Sequence, residues 1–391
     1  MYKLLYSGQY DSLSACLEKM INEDSTHAEH YFLLGLTQTL QNNKSKALKN
    51  FEFSYHLDST NTQNLSYYAN ALLSNGYSGK AEKIFKKAVQ LDSSRTDIWD
   101  SLGRLYYRNS RYEEALNIYS MLSRLNSTNG YYFLMQARCT GKMDSLHHAI
   151  RLYNMAHEMD PDNIEIILEL SRKYFSIDSL GKAKITIQKG IGLDNRNQQM
   201  HRLKADILYK QGDYTLATLS YLDAIAYGDN SVELLKKLGF CYFADQNYGK
   251  ATEVFEQSLQ LESDDPVIYY YLAMCAKQSK FDRQAINYFN AALLLIHPDY
   301  LGVLYTSLAE CYHNEHEYIN AIHSLRKAEE TSSMKGIIYY ELANVYYDYY
   351  KDKSVAQMYY KKAIQYELTP EIMDFINHRL KSLTEEIFLN Q

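Results

Sequence analysis

Apolar residues along this chain recur at spacings of three and four within segments of about 13 residues, and short polar breaks separate the segments. That period is helical, and the segments are too long for ordinary strands. The breaks carry turn residues, as in SNGYSGK, YRNSRY and KQGDY. The segments themselves recur. Trp99–Tyr119, WDSLGRLYYRNSRYEEALNIY, shares its skeleton with Leu235–Phe255, LKKLGFCYFADQNYGKATEVF.

One alanine column fixes the register: Ala47, Ala81, Ala115, Ala149, Ala183, Ala217, Ala251 and Ala285 follow one another at intervals of 34, and Ala321 and Ala356 continue it after 36 and 35. Four residues after each stands a large apolar residue, including Phe51, Phe85, Tyr119, Tyr153, Tyr221, Phe255, Phe289 and Tyr360. Twelve residues before each stands a small one, among them Gly35, Gly103, Ala205 and Gly239, shifted by one in the last repeat. Each repeat therefore predicts two helices. A small residue on the first meets the alanine on the second, and the large residue one turn on fills the space beside that contact. A second small column, Ala88, Ala156, Ala224, Ala292, Ala328 and Ala363, predicts packing of the second helix against the following repeat. LDS, LDN, LES and MDPDN close the repeats, and their Asp, Asn or Ser are expected to cap the next helix.

A 34-residue helix–turn–helix with Trp99, Leu102-Gly103, Tyr106, Tyr112, Ala115, Tyr119 and a closing Leu125 resembles the tetratricopeptide repeat. The resemblance implies an all-α, right-handed α-solenoid superhelix without strands. It covers 28–369 as ten repeats. A partial repeat, 1–27, precedes them, and residues 370–391 form a C-terminal capping helix. The half repeat at the start implies that residues upstream have been removed. In the cap, Ile372, Phe375, Ile376, Leu380, Leu383 and Ile387 fall on one side. Departures from the family pattern are Gln136 and Lys204 in place of Leu, and His201 in place of the first-helix aromatic.

Composition narrows the function. Net charge is −6, which argues against nucleic acid as a partner. The longest apolar runs, such as Ala291–Ile296, fall far short of the ~20 residues of a membrane span. The expected compartment is a soluble one, cytoplasmic or periplasmic. Tyr is 39 of 391 residues, an excess that the aromatic packing columns of the repeat partly absorb. Of five Cys, Cys139, Cys241, Cys275 and Cys311 occupy one repeat position. Packed helices sit ~8–10 Å apart, beyond disulfide reach, so the thiols are expected to be reduced and mostly buried.

No nucleotide loop, nucleophile elbow or paired-Cys zinc spacing occurs, and no cofactor is expected. The densest ligand-like stretch is CYHNEHEYINAIH, with Cys311, His313, Glu315, His316, Glu317 and His323; it reads as a polar turn between helices rather than a metal site. In the resembled family the first helices line the inner surface, through positions 2, 5, 9, 12 and 13 of each repeat. Position 9 is Arg104, Arg138 and Arg172 in three successive repeats, with Arg108, Lys142, Arg202, Lys210, Lys236 and Lys277 nearby. Tyr107, Tyr131, Phe175, Tyr209, Phe240, Phe243 and Tyr270 interleave with them. Two readings stand. Either these cations are ordinary solvated residues paired with carboxylates such as Asp100 or Asp206, or the arginines form a ladder for an acidic or carboxylate-ending peptide. The expected function is a non-enzymatic scaffold for a protein or peptide partner. The alternative is a regulatory or sensory ligand-binding module whose effector or targeting segment lies elsewhere.

Overall fold

The structure is a computed structural model that describes residues 8–297, 300–351 and 353–389, with side chains to 384. Its 22 helices leave no strand among the described residues. The chain divides into two compact bodies, one ending at Leu193 and the other beginning at Asp194.

In the first body α1 (Tyr10–Glu23) precedes five helix pairs: α2 (Ala28–Leu40) with α3 (Lys44–Leu57), α4 (Thr62–Ser74) with α5 (Ser78–Leu91), α6 (Thr96–Arg108) with α7 (Tyr112–Leu125), α8 (Gly130–Lys142) with α9 (Leu146–Met159), and α10 (Ile164–Ser176) with α11 (Leu180–Leu193). In the second body the pairs are α12 (Gln198–Gln211) with α13 (Tyr214–Ala226), α14 (Val232–Ala244) with α15 (Tyr248–Leu261), α16 (Pro266–Gln278) with α17 (Asp282–Leu293), α18 (Leu301–Asn314) with α19 (Tyr318–Thr331), and α20 (Lys335–Tyr349) with α21 (Ser354–Ala363). Helix α22 (Pro370–Leu389) follows. Within each body every helix packs on its neighbours in sequence.

The alanine column is buried throughout, and Tyr119, Tyr153, Tyr221, Tyr360, Phe51, Phe85, Phe255 and Phe289 are among the largest fully buried side chains. The small column explains itself at Gly239, where a Cβ would stand 2.6 Å from the Phe255 ring. A periodicity that the residue types conceal lies in the turn within each pair. Asn42, Gly76, Ser110, Asp144, Asp178, Gly212, Gln246 and Lys280, spaced by 34, and then His316, all have φ between 56° and 84°. This left-handed residue lets the chain turn back onto the helix it has just left. The Gln246 N–H donates to the Phe243 carbonyl and the Asn247 N–H to that of Tyr242.

Capping follows the repeat ending at MDPDN, whose Asn163 caps α10, and falls just beyond the ending at LDS, LDN and LES. The Asp of LDS closes its own loop: the Asp58 carboxylate accepts from the N–H groups of Thr60 and Asn61. The true caps come three residues later, at Asn61, Asn129, Asn163, Asn197 and Asp265. In helix α22, Ile376 and Leu383 are buried, Ile372 and Leu380 pack beside them, and Phe375 stays 40% exposed. The Ile387 side chain lies outside the described residues, as do residues 1–7.

Candidate functional site on the first helices

In the first body Arg104, Arg138 and Arg172 stand at equivalent points of α6, α8 and α10, with side chains 55%, 25% and 43% exposed. None is a bare cation. Arg104 lies 3.2 Å from Asp100 one turn earlier, Arg172 lies 3.1 Å from Glu169, and Arg138 reaches into the next repeat to Glu165. Burial opposes the Arg138 charge, and the Glu165 hydrogen bond and charge outweigh it, so its pKa lies above the ordinary guanidinium value. All three arginines are thus held in ion pairs, as in the first of the two sequence readings. The reason is helical: residues three and four apart share a face, and position 2 of one repeat lies beside position 9 of the repeat before it.

Of the expected site cations in the first body, Arg108 and Lys142 make no ion pair among the described residues; both are exposed, at the C-terminal ends of α6 and α8. Tyr107 and Phe175 are half-buried. The Tyr107 ring meets Tyr112 edge-on at 5.5 Å, so part of its surface serves the turn.

In the second body the expected site residues divide into two kinds. Arg202 lies 2.8 Å from Glu233 and 3.4 Å from Asp229; Lys236 lies 2.9 Å from Glu262 and 2.5 Å from Asp265. Both cations bridge to carboxylates at the start of the following first helix. Lys277 is paired with Glu310. Tyr209 and Phe243 belong to an aromatic run in which Tyr209 meets Phe240 at 5.5 Å and both Phe240 and Phe243 meet Tyr271 at 5.4 Å.

Some functional geometry escaped the sequence. The buried Tyr221 hydroxyl donates to Asp206 at 2.7 Å, and Lys237 of the next repeat donates to the same oxygen at 2.8 Å. Burial, then the Asp206 charge, pushes the Tyr221 phenol far above its ordinary value. Tyr119 donates to Asp100 at 3.2 Å in the same manner. Asp100 and Asp206 thus hold buried hydroxyls as well as cations. The signal was the Tyr in a column that otherwise holds Phe, Ile or Leu, because a buried hydroxyl needs an acceptor.

The histidine-rich turn is tied up pairwise. His313 lies 2.7 Å from Asp348, and the His316 ring meets the Tyr318 hydroxyl at 3.0 Å. Among the described residues no three candidate ligands converge on one point. Nor is any described helix long and apolar enough to cross a membrane. Cys139, Cys241, Cys275 and Cys311 are buried and free, while Cys16 is free and exposed. Burial pushes the Cys139 thiol up to about 12 and that of Cys275 to about 11, which makes them packing groups rather than nucleophiles.

Two family models described as tetratricopeptide repeat match the chain, at residues 68–95 and 202–266. This chain is a tetratricopeptide-repeat protein. The tetratricopeptide architecture is also that of the C-terminal part of a TPR repeat-containing protein from Cytophaga hutchinsonii, whose solved structure superposes with a TM-score of 0.52 at 16% identity, over 61% of this chain and 98% of that one. Among curated relatives, BBSome complex member BBS4 of Bos taurus is 22% identical over 320 residues, which is 82% of this chain and 61% of the relative. Protein O-mannosyl-transferase TMTC1 of Homo sapiens is 25% identical over 209 residues, 52% of this chain and 24% of that protein.

Proposed function

We propose that this tetratricopeptide-repeat protein is a non-enzymatic scaffold that binds an extended segment of a protein partner along its first helices. One observation carries the reading: α6, α8 and α10 present chemically equivalent side chains at a 34-residue step, still partly open to solvent. Repetition of one contact along a rigid surface suits an extended chain, and the preorganised helices spare the cost of ordering the receptor. The bovine relative is, by its name, a member of a protein complex, which is the same class of task.

The arginines act by exchange. An acidic side chain or terminal carboxylate of the ligand replaces Asp100, Glu165 or Glu169, since each pair keeps one partner open to solvent, where ion pairs contribute little, on the order of 1 kcal/mol. Arg108 and Lys142 supply the unneutralised charge that draws such a segment in. The test is fluorescence anisotropy of a dye-labelled Asp/Glu-rich peptide and its Lys-rich counterpart on the full chain. The acidic peptide is expected to bind, more weakly as salt rises, and Arg138→Glu or the pair Arg108→Glu/Lys142→Glu is expected to weaken it. Equal binding of both peptides, or binding indifferent to these reversals, contradicts the reading.

A further inference from the structure

Successive junctions of the second body differ at one place. At position 5 of its repeat, Arg202 spans to Glu233, and 34 residues later Lys236 spans to Glu262 and Asp265. Each cation reaches from its own first helix to carboxylates at the start of the next repeat. Another 34 residues on, position 5 is Tyr270, which carries no charge, and the cation that joins α16 to α18 is Lys277, near the far end of α16, paired with Glu310. Here the repeat interval also lengthens from 34 to 36. Helix α17 stops at Leu293, and the N–H groups of Leu295 and Ile296 both turn back to the Ala292 carbonyl. The crevice thus left between α16 and α18 is a cavity of about 400 Å³, walled by Val267, Tyr270, Tyr271, Ile296, Tyr300 and Val303 among others.

Its wall is set in advance. The Tyr271 ring is stacked on Phe255 at 5.6 Å and touched by Phe240, Phe243 and Tyr270, each at 5.4 Å. Its mouth is apolar and open, with Val267 55%, Tyr300 61% and Val303 45% exposed. The volume falls in the range of small-ligand pockets, ~300–1,000 Å³, and suits one bulky side chain with the backbone that carries it. The loop before Pro266 carries Glu262, Asp264 and Asp265; Lys236 pairs with Glu262 and Asp265, and three carboxylates around one ammonium leave the loop negative.

We infer that this crevice receives an aromatic or large aliphatic side chain of a bound peptide, next to a Lys or Arg of the same peptide that meets the carboxylates of the 262–265 loop. The partner's side chain occupies the place that Arg202 and Lys236 occupy at the junctions before it. The inference rests on the first-helix binding reading and adds a second, chemically opposite subsite to it.

Four dye-labelled peptides on one Gly/Ser frame test it, with Phe or Ala at the centre and Lys or Glu beside it, titrated against the full chain by anisotropy. The Phe/Lys peptide is expected to bind about tenfold tighter than Ala/Lys, and tighter than Phe/Glu. Val267→Trp, which closes the mouth from the surface, is expected to abolish the preference for Phe while helicity and Tm stay near the parent's. Tyr270→Lys restores a cation at position 5 and is expected to do the same. Equal affinity for Phe and Ala peptides overturns the inference, as does a Phe preference that survives both substitutions. Absence of binding by all four also overturns it. The wider reading falls as well only if the acidic peptide fails against Arg108, Arg138 and Lys142.

Discussion

The Cys and Tyr columns give the residues of this protein a common electrostatic consequence. Burial pushes the thiols of Cys241 and Cys311 up to about 12 from an ordinary 9.0, and burial with the Glu52 charge pushes the Tyr68 phenol to about 12 from 10.0. In the folded chain these groups keep their protons where the unfolded chain releases them. Their stabilisation is whole below pH 9 and is lost as pH rises from 9 towards 12, because the unfolded state then binds fewer protons. Thermal melts at pH 8, 9, 10 and 11 are expected to show a Tm that holds to about 9 and then falls with increasing slope. A Tm unchanged to pH 11 contradicts the burial of these groups. The burial itself was legible, because the residues sit in a periodic column. The ion pairs were legible only in part. Arg104 and Asp100 are four apart, a pairing any helix offers, but Arg138 finds Glu165 27 residues away and Lys237 finds Asp206 31 residues away. Those partners depend on how one repeat is rotated on the next, which no spacing within a repeat specifies.

At the level of the helix pair, packing and turn impose opposite demands on small residues. Gly239→Ala drives a Cβ to 2.6 Å from the buried Phe255 ring and is expected to cost about 1–3 kcal/mol in denaturant unfolding. Gly249→Ala, with nothing within 4 Å, is expected to be neutral or to stabilise by up to about 1 kcal/mol. Equal effects of the two would show that close approach is not what keeps the small column small. The turn makes a complementary prediction. Lys280 has φ 61°, in the left-handed region that costs an L residue ~1–2 kcal/mol. Lys280→Gly is therefore expected to raise the unfolding midpoint, by an amount equivalent to about 0.5–1 kcal/mol, because glycine gives part of the gain back as entropy in the unfolded chain. This turn column stayed hidden in the sequence because only Gly76 and Gly212 announce it; Asn, Ser, Asp, Gln, Lys and His fill the other places. Most caps lie just past the expected endings for a related reason. LDS and its kin are followed by further capping-competent residues, and backbone geometry selects the one three positions after the first polar residue, which falls inside the ending at Asn163 of MDPDN.

For the molecule as a whole, tandem helix pairs supply many equivalent exposed faces, and function depends on which face a partner uses. The first helices of the first body carry paired arginines beside cations with no ion pair among the described residues, Arg108 and Lys142 among them. Those of the second carry an aromatic run and an unplugged apolar crevice. Both patterns place the variable chemistry on first helices, and the alanine and aromatic columns hold each pair together irrespective of it. Photo-crosslinking tests this most directly. The acidic peptide, bearing a benzophenone side chain, is bound to the full chain and irradiated, and the attachment sites are mapped by mass spectrometry. The account predicts crosslinks within residues 96–108, 130–142 and 164–176, on the first helices, and their loss on Arg138→Glu. Crosslinks concentrated in the second helices, at 112–125 and 146–159, would contradict it.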